Sequence, residues 1–133
     1  MTTLQNQMIQ ANTAGTGNSP CTKQGVSVIN GIPTEILYIN YGNRDFVLIT
    51  QVGKMGTVLD IKKYVDGFGE MKQIVNTVFG KRGDERLELY ARMVARMISP
   101  KTPKPITVSL ALKDASLEHR EDMKRLIESI CTR

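Results

Sequence analysis

The sequence predicts a single small α+β domain: a mostly antiparallel sheet of five to six strands packed with two helices. Three observations lead there. Short apolar, β-branched runs follow one another from Gly25 to Phe79 with turns of a few residues between them, and turns that short join antiparallel strands. Two longer segments, 84–98 and 116–131, place apolar residues at the three- and four-residue spacing of an amphipathic helix. Finally, 133 residues with 41% hydrophobic side chains suit one core, because a chain of this length removes roughly two thirds of its unfolded surface from water.

Residues 1–24 carry one charge, Lys23, and are rich in Thr, Asn, Gln, Gly and Ser. Such a composition buries too little apolar surface to offset its ordering entropy, so a flexible polar tail is expected, with a weak helical tendency from Leu4 to Ile9. The folded domain is then 25–133. GVSVIN, the turn-prone pair Asn30-Gly31 and TEILYINY read as a β-hairpin. After a turn at Gly42, Asn43, Arg44 and Asp45, FVLITQV is apolar on both faces, with Phe46, Leu48 and Val52 on one and Val47 and Ile49 on the other. A strand of this kind is expected to be central and covered on both sides.

TVLDIKKY is expected to be half exposed, with Leu59 and Ile61 on one face and Val58, Asp60 and Lys62 on the other; MKQIVNTVFG follows as a further strand. Asp84 is placed to cap a helix whose Leu87, Tyr90, Val94, Met97 and Ile98 share a face, and Ser99-Pro100 stops it. ITVSLALK alternates cleanly, with Ile106, Val108, Leu110 and Leu112 inward. Ser116 caps a last helix with an apolar stripe of Met123, Leu126, Ile127, Ile130 and Cys131, and with Glu121–Arg125 and Lys124–Glu128 spaced as i,i+4 pairs.

The net charge is +5, and residues 80–104 hold seven basic against three acidic side chains, or +4 of that total. A surface of this sign meets either phosphates or an acidic protein. Tyr90 is the one aromatic in the window, which leaves little on which bases could stack. Cys21 and Cys131 lack metal-ligand spacing, and His119 is the sole histidine, so no metal is expected and the thiols are expected to be reduced. No basic leader with an apolar core and no membrane-length apolar run is present, which points to a cytoplasmic protein with access to the nucleus.

In TQVGKMGT, from Thr50 to Thr57, Gly53-Lys54 is followed by Met55 where a phosphate-binding loop needs Ser or Thr. The stretch reads instead as the end of a central strand, a glycine-framed turn and the start of the neighbouring strand. Asp60, Asp66 and Glu70 share no spacing that would gather them in a cleft, and no catalytic residue or cofactor is expected.

GIPTEILYINYGNRDFVLITQVGKMGTVLDI, residues 31–61, and ITVSLALKDASLE, residues 106–118, resemble the proteasome assembly chaperone 3 family, and the similarity runs from Gly25 to the C-terminus. The resemblance implies a non-enzymatic chaperone. It would pair with a second, similar assembly chaperone, or with itself when alone, escort α-subunits during construction of the 20S α-ring, and leave before the particle matures. Gln51, Lys54, Met55, Thr57, Arg92 and Arg96 are then the expected partner-binding residues, and Ile36, Tyr38, Val47 and Ile49 the expected dimer face. The longer polar tail, the segment 62–73 and the basic helix Arg86 to Arg96 depart from the family pattern. Two other classes compete: a nucleic-acid-binding adaptor using the basic helix and loop, and a roadblock- or longin-like scaffold subunit, which shares the size and α+β character.

Overall fold

The structure, a computed structural model, describes residues 21–98, 103–113 and 116–131. In chain order the elements are β1 (Cys21–Ile29), β2 (Ile32–Asn40), β3 (Asp45–Thr50), β4 (Thr57–Val65), β5 (Met71–Phe79), α1 (Glu85–Met97), β6 (Ile106–Ala111), a short 3-10 turn (Leu117–His119) and α2 (Arg120–Cys131). The expected tail lies outside the described residues up to position 20, as does Ser99-Pro100, while β1 already pairs from Cys21.

One six-stranded sheet runs in the order β1-β2-β3-β6-β4-β5. Every pairing is antiparallel except β3 with β6, which is parallel. A parallel pair needs a long crossover, and the segment carrying β4, β5 and α1 supplies it. The α+β expectation therefore holds. The hairpin forms as read, with φ of 54° at Asn30 and 72° at Gly31, the positive values its tight turn requires.

Both helices pack on one face of the sheet. Ile36, Tyr38, Val47, Ile49, Ile61 and Val108 meet Tyr90, Val94 and Ile98 from the α1 side and Met123, Leu126 and Ile127 from α2 in a single core cluster. This corrects the expected dimer face: Ile36, Tyr38, Val47 and Ile49 are buried beneath the helices, and the opposite parity looks away from them. A strand apolar on both sides does not reveal which side the helices will take. Leu37, Ile39 and Leu48, with Phe46 against them, form a separate small cluster on that other parity. Further out on the same face, Val26 and Val28 of β1, Tyr64 of β4 and Ile74 of β5 are exposed.

Local expectations hold where the signal is local. Asp84 caps α1, its carboxylate accepting from the Arg86 and Leu87 backbone N–H groups at 3.1 and 3.3 Å. The Ser116 hydroxyl accepts from Glu118 N–H at 3.3 Å, capping the 3-10 turn that leads into α2. On α2, ion pairs form at i,i+3, Arg125 with Asp122 at 2.8 Å and Lys124 with Glu121 at 3.9 Å, rather than between Glu121 and Arg125. Asp45, read as a turn residue, is fully buried at the start of β3. It accepts from the Tyr38 hydroxyl at 2.9 Å and faces the Lys104 ammonium at 3.0 Å, which ties β2 and β3 to the segment entering β6.

Candidate functional site

The loop 51–56 joins β3 to β4, but β4 is not the neighbour of β3. The loop arches over the end of β6, which is inserted between them. That placement corrects the simple turn expected from the sequence, and it explains the loop's chemistry. β3 stops at Thr50, leaving Val52 exposed. The Thr50 hydroxyl accepts from Val52 N–H at 3.1 Å and Lys54 N–H at 3.2 Å, turning the chain locally. Gly53, at φ 75°, then adopts a conformation closed to most other residues.

Gln51 is buried and works as a clamp. Its N–H donates to Ala111 O at 2.8 Å, its side-chain amide donates to the Thr34 hydroxyl at 3.1 Å, and its side-chain oxygen accepts from Lys113 N–H at 2.9 Å. Gly56 closes the arch: its N–H donates to the Ser109 hydroxyl at 3.3 Å, and a Cβ there would come within 2.3 Å of Leu110 O. Thr57 is buried, and its hydroxyl accepts from Lys81 N–H at 3.2 Å. Gln51 and Thr57 thus anchor the loop, while Lys54 and Met55 stand exposed at its tip, Met55 by half of its surface.

Arg92 and Arg96 are not brought to this tip. They lie along the later half of α1 beside Lys63, near the end of β4, whereas the loop meets β4 at Thr57. Six residues of strand separate the two places, roughly 20 Å at the rise of an extended chain. The expected site residues therefore divide into a displayed loop and a separate basic groove.

Sequence reasoning missed Lys63. It is buried, and its ammonium donates to Ile98 O at 2.8 Å at the end of α1. Desolvation holds its pKa below the usual lysine range, and the Lys104 charge lowers it further while Asp45 raises it. The lysine pair at 62 and 63 gave no sign that one member turns inward beyond its odd parity with Leu59 and Ile61. Among the described residues no group of three or more His, Cys, Asp or Glu is placed to hold a metal ion, and no helix is long and apolar enough to cross a membrane.

Among the described residues both helices lie on one face of the sheet, and a firmly based loop presents a cation and a methionine, an arrangement suited to contacting other proteins. Comparison with known proteins narrows that reading to chaperones of proteasome assembly. The family Proteasome assembly chaperone 3 matches residues 47–130. The chain is 26% identical over 112 residues to Proteasome assembly chaperone 3 of Bos taurus, spanning 81% of this chain and 90% of that protein. It is 25% identical over 108 residues to the Homo sapiens protein of the same name, spanning 80% and 88%. Among solved structures, a chain of a yeast chaperone complex for 20S proteasome assembly shares the fold with a TM-score of 0.64 at 12% identity, covering 82% of this chain and 97% of that one. The chain belongs to the Proteasome assembly chaperone 3 family.

Proposed function

We propose that this chain is a non-enzymatic chaperone for assembly of the 20S proteasome. Paired with a second chaperone of similar fold, it holds α-subunits while the α-ring is built and leaves before the particle matures. The observation that carries this reading is the family match across residues 47–130. We assign the work to the cytoplasm, with access to the nucleus.

The shape of the molecule supports the reading. The sheet face away from the helices exposes Val26, Val28, Tyr64 and Ile74 around the Leu37, Ile39 and Leu48 cluster, and is the surface we assign to the second chaperone. Glu35, of the same parity, is buried, and neither of its carboxylate oxygens is hydrogen-bonded among the described residues. The loop tip, Lys54 and Met55, is assigned to capture of an α-subunit.

Native capture of the chain from its own cells, with mass spectrometry of what accompanies it, tests the reading. Proteasome α-subunits and a second small chaperone, without mature β-subunits, are expected. Nucleic acid or trafficking components in place of α-subunits would discard the assembly role. Lys54→Ala combined with Met55→Ala should leave the circular dichroism spectrum unchanged and reduce the α-subunits recovered. Undiminished recovery would confine the loop to a structural role.

A further inference from the structure

A groove of about 450 Å³ runs between the later half of α1 and the end of the β4–β5 hairpin. Lys63, Arg92 and Arg96 line it from the helix-covered side, Lys72 and Tyr64 border it at the hairpin end from positions of the opposite parity, and no carboxylate lines it. Lys72 is partly neutralised at the hairpin end by Glu70 at 3.1 Å and Asp66 at 3.8 Å. Arg92 and Arg96 form no ion pair among the described residues; Arg92 makes one long hydrogen bond, to Gln73 O at 3.4 Å. At the floor, Lys63 is desolvated and faces Asp45 as its acidic neighbour and Lys104 as a second cation. A concave surface with several cations and few acids favours an anionic occupant, since low-dielectric walls strengthen the attraction.

The geometry also decides which anion. Compact phosphate sites use helix N-termini and nests of backbone N–H groups. Here the groove lies toward the C-terminal end of α1, where the Ile98 carbonyl points at Lys63 and the helix dipole is negative. The cations are spread over β4 and α1 on long side chains, with Met71 and Ala95 between them. Tyr64 is the one aromatic in the lining, too few for a run of stacked bases. Spaced charges alternating with apolar surface match a peptide that carries both carboxylates and apolar side chains.

We propose that this groove is a docking site for an acidic peptide segment of a protein partner, Arg92 and Arg96 pairing with its carboxylates and Met71 packing against its apolar side chains. That the partner is a proteasome subunit rests on the function proposed above; that the groove takes an acidic peptide does not.

The test is fluorescence anisotropy of the full chain with a fluorescein-labelled Glu-Leu-Glu-Glu-Leu-Glu peptide at physiological ionic strength. The wild-type chain should bind. Arg92→Gln with Arg96→Gln should weaken binding roughly tenfold, as expected for losing two partly exposed ion pairs. Arg82→Gln with Arg125→Gln, which removes the same charge elsewhere, should change it by less than about twofold. Circular dichroism of both double variants should match the wild type, since none of the four side chains lies in the core. Equal losses in the two variants, or no binding by the wild type, would overturn the proposal. So would displacement of the peptide by equimolar pyrophosphate or oligothymidylate, which would make the groove a phosphate or nucleic-acid surface. Peptide binding without α-subunits in the native capture would leave the groove standing and remove the proteasome as its partner. Captured α-subunits without peptide binding would do the reverse.

Discussion

At Gly56 a single methyl group decides whether the arch over β6 can form. An added Cβ would lie 2.3 Å from Leu110 O and 2.7 Å from the Ala111 Cα, and because both are backbone atoms of an interior strand neither can move aside cheaply. Gly56→Ala should therefore cost about 2 kcal/mol or more, read as a lower urea midpoint at unchanged m-value. Gly53, with nothing within 4 Å of its added Cβ, differs from Gly56 in cause: its φ of 75° is the constraint, not space. That a turn occurs at Gly53-Lys54-Met55-Gly56 was legible, because glycine signals turns locally. That Gly56 touches β6 was not, since its contacts lie more than fifty positions away in sequence.

Elements were legible to the degree that short-range forces define them. Asp84 caps α1 through bonds to residues two and three positions on, so its role shows in a window of a few residues. Asp84→Ala should lower stability by about 1 kcal/mol without altering the helical circular dichroism of the folded state. The β4–β5 turn is similar: the Asp66 carboxylate accepts from Phe68 N–H at 2.8 Å and Glu70 N–H at 3.0 Å. Those bonds, the one from Glu70 first, hold its pKa below the usual range. A carboxyl more acidic in the folded state adds stability that is present above the unfolded pKa and lost as pH falls through the lower folded one. Stability should thus drop on acidification from about pH 4 downward, and Asp66→Asn should flatten that part of the urea-midpoint profile. Side-chain pairing was less legible, because i,i+3 and i,i+4 partners compete on one face; Arg125 chose Asp122 over Glu121.

For the whole molecule, the decisive fact is which face of the sheet the helices cover. Val26→Glu with Ile74→Glu places two charges on the sheet face away from the helices, at exposed positions. Folding should be retained by circular dichroism, while the second chaperone should be lost from native capture. Continued pairing would move the interface elsewhere. The sequence predicted one domain, an α+β class and a mostly antiparallel sheet, and it located the candidate loop and the basic helix. It took Ile36, Tyr38, Val47 and Ile49 for an open face where the helices bury them, because β2 and β3 are apolar at both parities and the period of two has no sign.

By itself the sequence determined the turns at Asn30-Gly31 and in 51–56, the cap and apolar face of α1, and the number and kind of elements. Each of these follows from interactions among residues a few positions apart. Tertiary structure alone decided that β6 enters between β3 and β4, that Asp45 is buried against Lys104, that Lys63 lines a basic groove with Arg92 and Arg96, and that Leu37 rather than Ile36 looks away from the helices. Those outcomes depend on pairings across tens of residues, where many arrangements satisfy the same local preferences and only the packing of the whole core selects one.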